Sequence, residues 1–94
     1  MSLLSLARRA GVVEPGLDAA LRACRRGVAR LLVVTEDLGK SARSKTEQMG
    51  SECKLDVIQL DTSMAELGRA LGLRDVGVVA VCDANFAKGI IKKL

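Results

Sequence analysis

Three short apolar runs punctuate this chain: Leu31-Leu32-Val33-Val34-Thr35, Asp56-Val57-Ile58-Gln59-Leu60, and Val76 to Cys82, with segments of helical periodicity between them. Runs of this length that are rich in β-branched residues form strands, and the first and third, being continuously apolar, fit strands covered on both faces. Between them, Leu17, Ala20, Leu21 and Cys24 recur at the i, i+3, i+4, i+7 spacing of a helix, with Arg22, Arg25 and Arg26 on its other side and Gly27 to end it. Ser41 to Glu52 is polar and helix-compatible. Ser63 followed by Glu66 has the capping-box spacing and predicts a helix from Met64 to Leu71, stopped at Gly72.

The ends continue the alternation. Leu3, Leu4, Leu6, Ala7 and Ala10 form an apolar stripe that stops at Gly11, and Val12-Val13 is a brief extended piece, a candidate edge strand. Pro15-Gly16 turns the chain. Asp83 or Asn85 caps a last helix through Leu94, whose final turn carries Lys92 and Lys93 at the negative end of the helix dipole. Strands alternating with helices imply parallel neighbours joined by crossovers. The expected fold is α/β: one domain over residues 1–94, a three-layer α/β/α sandwich around a central mixed, partly parallel sheet.

A chain of 94 residues has little room for both a core and a deep cavity, so a surface that binds is favoured over a pocket that reacts. Histidine is absent, which excludes His-based triads, His metal sites and imidazole proton transfer. Phe86 is the sole aromatic residue, so no platform exists for stacking bases. The net charge of +4 is confined to the first third, where six arginines face Glu14 and Asp18, while residues 31–94 balance. Arginine presents a planar fork that matches phosphate oxygens, although a solvated basic face would carry the same charges. Cys24, Cys53 and Cys82 are odd in number and widely spaced, which rules out a closed disulfide set or a C-x-x-C metal site. Cys24 and Cys82 read as buried thiols suited to a reducing cytoplasm. Arg8-Arg9 precede any long apolar run, so neither a signal peptide nor a membrane helix is expected.

Pro15-Gly16-Leu17-Asp18 leading to Arg22 is the foremost candidate site. A helix N-terminus offers unpaired N–H groups and a positive dipole end, and a glycine there lets a backbone come close. Arg26 lies one turn beyond Arg22 on the same side. The same residues also read as a plain turn with an i,i+4 ion pair between Asp18 and Arg22. Gly39-Lys40-Ser41 follows a strand and opens a helix, like the end of a phosphate-binding loop, but the full motif needs glycine where Val34 stands. It remains the basis of the alternative, a small nucleotide-binding or enzymatic domain. Glu36-Asp37, at a strand end, reads as a cap for the segment that follows.

Several stretches, taken in order, resemble one family. They are Leu6-Ala7-Arg8-Arg9-Ala10-Gly11, Gly16 through Arg22-Ala23 to Arg26-Gly27, Thr35-Glu36-Asp37, Glu66-Leu67-Gly68-Arg69-Ala70-Leu71-Gly72, and Asp83-Ala84-Asn85-Phe86-Ala87-Lys88. Together they are similar to the kink-turn RNA-binding ribosomal proteins, of which the archaeal L-seven-Ae type is one and the bacterial YlxQ-like branch the better fit. The resemblance implies a non-enzymatic, ribosome-associated protein without cofactor that binds ribosomal or other kink-turn RNA. It implies that the second helix enters the RNA by its N-terminus, with Gly16, Asp18, Ala19 and Arg22 at the family's positions beside Leu17 and Arg26. It further implies a short apolar loop, Leu73-Arg74-Asp75-Val76-Gly77, covering an exposed nucleotide. The family's amide falls on Asp18 and its carboxylate on Ala19, two departures that bear on specificity.

Overall fold

A computed structural model describes residues 2–93. Five helices, α1 (Ser2–Arg9), α2 (Leu17–Arg25), α3 (Lys40–Glu52), α4 (Met64–Ala70) and α5 (Ala84–Lys92), alternate with four strands, β1 (Val13–Pro15), β2 (Leu31–Val34), β3 (Val57–Gln59) and β4 (Val78–Val81). The sheet order is β1-β4-β2-β3. The last helix closes at Lys92 with Lys93 as its C-cap, and Leu94, where it was expected to end, lies outside the described residues.

Alternation along the two central strands sorts the layers. Leu31, Val33, Val79 and Val81 face one core with Leu4 and Ala7 of α1, Leu67 of α4, and Ala87 and Ile90 of α5. Leu32, Val34, Val78 and Ala80 face a second core with Ala20, Ala23 and Cys24 of α2 and, at its margin, Met49 of α3. All eight residues of β2 and β4 are buried, which is why these runs carry no polar alternation. Burying each such Leu or Val contributes roughly 1.5–3 kcal/mol relative to leaving it exposed. This is the expected α/β/α sandwich.

Parallel pairing is confined to β2 and β3; β4 runs antiparallel to both β1 and β2. The departure from a chain of crossovers has a local cause. Helix α4 is seven residues long, and the chain after it folds back along it, with Leu73 N–H donating to Gly68 O and Val76 N–H to Met64 O. The chain therefore re-enters the sheet at the end it left, and β4 must run the other way. The capping box of α4 forms as predicted, with Glu66 N–H donating to Ser63 Oγ at 3.1 Å and Ser63 N–H to Glu66 Oε1 at 3.0 Å. These bonds hold the Glu66 carboxyl below the usual range. Asp83, not Asn85, caps α5 through the Phe86 N–H.

The three cysteines are free. Cys24 is buried, while Cys82 is half-buried rather than enclosed. Cys53, the C-cap of α3, leans on the Cys24 carbonyl with its sulfur 3.7 Å away. Burial, then the neighbouring Cys53, pushes the Cys24 thiol up to about 11. Thiolate is the reactive form. Alkylation of the native protein at pH 8 is thus expected to spare Cys24, whereas all three thiols react once the chain is denatured without reductant. Fewer than three would reveal a disulfide.

Candidate functional site

Helix α2 begins where edge strand β1 ends. In β1, Pro15 stands opposite Val79, and the ladder to β4 is carried by its neighbours: Gly16 N–H donates to Val78 O at 2.7 Å and Cys82 N–H to Val12 O. A proline is tolerated because its missing donor would point to the open edge. Gly16 then takes φ 98°, a conformation that disfavours any side chain. No side chain caps α2, so its first N–H groups are left for an outside acceptor. Leu17 and Ala19 are half-buried, and Asp18, Arg22 and Arg26 are exposed. At about 100° per residue, Ala19, Arg22 and Arg26 fall on one flank of the helix. Arg25 lies about 60° further round from Arg22, where with Asp18 it lines a groove of about 490 Å³ against Lys45 and Gln48 of α3.

The Asp18–Arg22 ion pair does not form; among the described residues the one ion pair joins Arg43 to Glu47 at 3.9 Å. The arginines of α2 keep their charge open to solvent.

The loop from Leu73 to Gly77 joins α4 to β4. Arg74 and Asp75 are exposed, Leu73 and Gly77 are half-buried, and Val76, 7% exposed, belongs to the core. An apolar cover from this loop is therefore reduced to Leu73, and position 76 has only its main chain to offer. Gly77 is the residue before Val78, whose carbonyl receives the Gly16 N–H. The start of α2 and the loop thus lie side by side at one end of the sheet, although 57 residues separate Gly16 from Leu73 in sequence.

A third segment, Thr35 to Gly39, completes this end. Thr35 N–H donates to Gly77 O, and Leu38 stands where a side chain at Gly77 would point. Arg43 reaches back from α3 to donate to Thr35 O at 3.2 Å and Gln59 Oε1 at 2.7 Å. Asp37 accepts from Met64 N–H at 2.9 Å and so caps α4, a helix far along the chain, rather than the segment that follows it. Glu36 lies against Asp61, and that carboxyl contact raises its pKa.

Two positioning residues escape a reading of the sequence. Nothing in the polar stretch of α3 marks Arg43. Gly68 has a visible signal, a glycine inside a helix, but its reason is tertiary: a Cβ there would lie 2.6 Å from the Arg74 carbonyl carbon and closer still to its oxygen.

The phosphate-loop alternative finds no loop. Val34, at the motif's first glycine position, is the last residue of β2 and 1% exposed, and Gly39 caps α3 in ordinary extended backbone. Among the described residues no group of acidic and cysteine side chains could hold a metal ion, and no helix is long and apolar enough to cross a membrane.

Comparison with known proteins bears on the family and the fold. The RNA-binding protein YlxQ of Bacillus subtilis (strain 168) is 35% identical over 92 residues, 98% of this chain and 91% of that protein. A solved structure of a protein with unknown function from Bacillus halodurans C superposes with a TM-score of 0.90 at 27% identity, over 97% of this chain and 91% of that one. The model of the ribosomal protein L7Ae/L30e/S12e/Gadd45 family matches residues 1–91. A match of that extent leaves no element of the sandwich unaccounted for, and the chain belongs to the ribosomal protein L7Ae/L30e/S12e/Gadd45 family.

Proposed function

We propose that this chain is a non-enzymatic RNA-binding protein, cytoplasmic and ribosome-associated, that holds kink-turn RNA against the start of α2 and the 73–77 loop. One observation carries the reading: the Gly16–Val78 hydrogen bond sets an uncapped helix N-terminus beside a main-chain-rich loop, with unpaired Arg22 further along the same helix and unpaired Arg26 at its C-cap, roughly 15 Å from Gly16. Gly16, Leu17, Asp18 and Ala19 form the helix start that enters the RNA. Arg22 and Arg26 follow the phosphates, and Leu73 to Gly77 form the second contact through Leu73, Arg74, Asp75 and the peptide groups of Val76 and Gly77. The name of the Bacillus subtilis relative supports RNA as the partner class.

Neutralising phosphates releases counterions, so binding falls steeply as salt rises. Arg22→Ala is expected to weaken a kink-turn duplex about tenfold, the scale of one charge-assisted contact of ~1.4 kcal/mol. Lys54→Gln, at the opposite end of the sheet, is expected to leave it nearly unchanged. Filter binding at two salt concentrations reads both, and equal losses would overturn the placement. A kink-turn duplex held no better than a plain one would overturn the specificity. Failure to co-sediment with ribosomes would remove that part of the reading alone.

A further inference from the structure

Helices α1 and α5 pack against each other on the face of the sheet opposite α2. Neither contains a carboxylate, yet they carry Arg8, Arg9, Lys88 and Lys92, with Lys93 at the C-cap, all exposed. Among the described residues none of these five is in an ion pair. The carboxylates flanking the two helices along the chain are Glu14, five residues after Arg9, and Asp83, five before Lys88, and Asp83 accepts from the Phe86 amide. In sequence this cluster is hidden, because its lysines belong to a stretch whose charges balance; folding packs the helix that bears them against the helix that bears the arginines.

Helix geometry shows what the face presents. At about 100° per residue, Arg9 lies nearly opposite the buried Leu4 and Ala7, and Lys92 nearly opposite the buried Ala87 and Ile90, with Lys88 beside it. Arg9, Lys88 and Lys92 therefore point away from the sheet, whereas Arg8, about 40° round from Leu4, lies at the flank of α1. Leu6 and Ile91 are the large hydrophobic residues exposed in this region, at 47% and 40%. They do not merge: Leu3 of α1 flanks Gly89, and Ile91 lies about 200° further round α5, across the Lys88–Lys92 row. Single exposed apolar residues are ordinary. What this face offers is charge of one sign, in side chains suited to phosphate oxygens.

We infer that the α1/α5 face is a second RNA contact that holds the phosphate backbone of a different helical segment from the one at α2. The molecule measures 28 × 28 × 22 Å, with the sheet and its helices between the two faces, so the protein would bridge two RNA segments. The inference shares with the reading above only its class of partner; the surface is separate and is read separately.

The test uses the full chain with a kink-turn duplex carrying a donor dye and a short plain RNA duplex carrying an acceptor, at low salt. Energy transfer and a complex of one protein with two duplexes are expected. Lys88→Gln with Lys92→Gln, both exposed, should keep the melting temperature, weaken the second duplex at least tenfold and lower the salt slope by about 2, near one for each phosphate no longer neutralised. Arg22→Ala with Arg26→Ala should instead remove the other duplex and spare this one. If that arginine pair changes nothing while the lysine pair acts as stated, the α2 placement fails and this inference stands. A native complex that stays at one duplex per protein, or a lysine variant that still holds two as tightly, overturns it. Unchanged RNA stoichiometry together with abolished binding of poly-glutamate would give the face to an acidic protein and overturn it equally.

Discussion

Gly68→Ala is expected to destabilise this protein and to lower its affinity for RNA at least tenfold, although alanine is the better helix former. Propensity alone predicts a gain of about 1 kcal/mol for this change in a helix interior. The packing predicts the reverse. The added methyl would meet the Arg74 carbonyl group and the Asp75 nitrogen, which are main chain and cannot swing aside. That loop is pinned from both ends, by Leu73 N–H to Gly68 O and by Val76 N–H to Met64 O. Overpacking of this kind costs typically 1–3 kcal/mol, occasionally more. With backbone as the obstacle the upper end applies, leaving a net loss of about 2 kcal/mol and a fall in melting temperature of roughly 10 °C for a domain of this size. Relief of the clash shifts residues 73–75 relative to the start of α2, so the RNA loss should exceed what the stability loss explains. Thermal unfolding by circular dichroism and a gel shift well below the transition measure the two effects. A raised melting temperature would show that the loop yields freely and that Gly68 has no positioning role.

The same glycine shows where the sequence stops being legible. Elements that announce themselves locally were readable: the continuous apolar runs of β2 and β4, the Ser63–Glu66 capping box and the arginine flank of α2 depend on residues within a turn or two of one another. What depends on partners far along the chain was not. The direction of β4 follows from the fold-back of residues 73–76 on α4, and Asp37 caps a helix 27 residues away. Val76 carries two readings, the first residue of a buried strand and part of an apolar loop; its side chain follows the first, buried ahead of the strand's first paired residue, Val78. The acid-free α1/α5 face likewise exists only once the two ends of the chain are packed together. For the candidate site, the helix start and its arginines were visible in sequence, whereas Arg43 and the Thr35–Gly77 contact that hold its neighbouring loops were not.

Exchanging both departures at the helix start, Asp18→Asn with Ala19→Glu, is expected to tighten binding of a standard kink-turn duplex about tenfold or more, a gain of at least ~1.4 kcal/mol. Asp18 is exposed in the first turn of α2, where its carboxylate suits the helix dipole but opposes an incoming phosphate. Asparagine removes the repulsion and supplies an amide. Position 19 is the third residue of the helix, where a glutamate ordinarily turns back to the N–H of the capping residue. Here that N–H belongs to Gly16 and is already bound to Val78 O at 2.7 Å, so the introduced carboxylate is left to accept from guanine N–H groups. Its flank is shared with Arg22, three residues on, whose charge offsets its own toward the RNA. Groove contacts of this quality discriminate by roughly 1–3 kcal/mol in DNA, and the same scale is applied to this RNA. The helix itself should lose little, because removing one carboxylate from the first turn costs about 0.3–1 kcal/mol and the second change restores one. Gel shifts of native and doubly changed protein on a kink-turn duplex and on a plain duplex of equal length measure the effect, with the plain duplex expected to hold constant. A native protein that already folds the kink-turn at nanomolar concentration, indifferent to both changes, would show that Arg22 and the 73–77 loop suffice and that positions 18 and 19 do not set specificity.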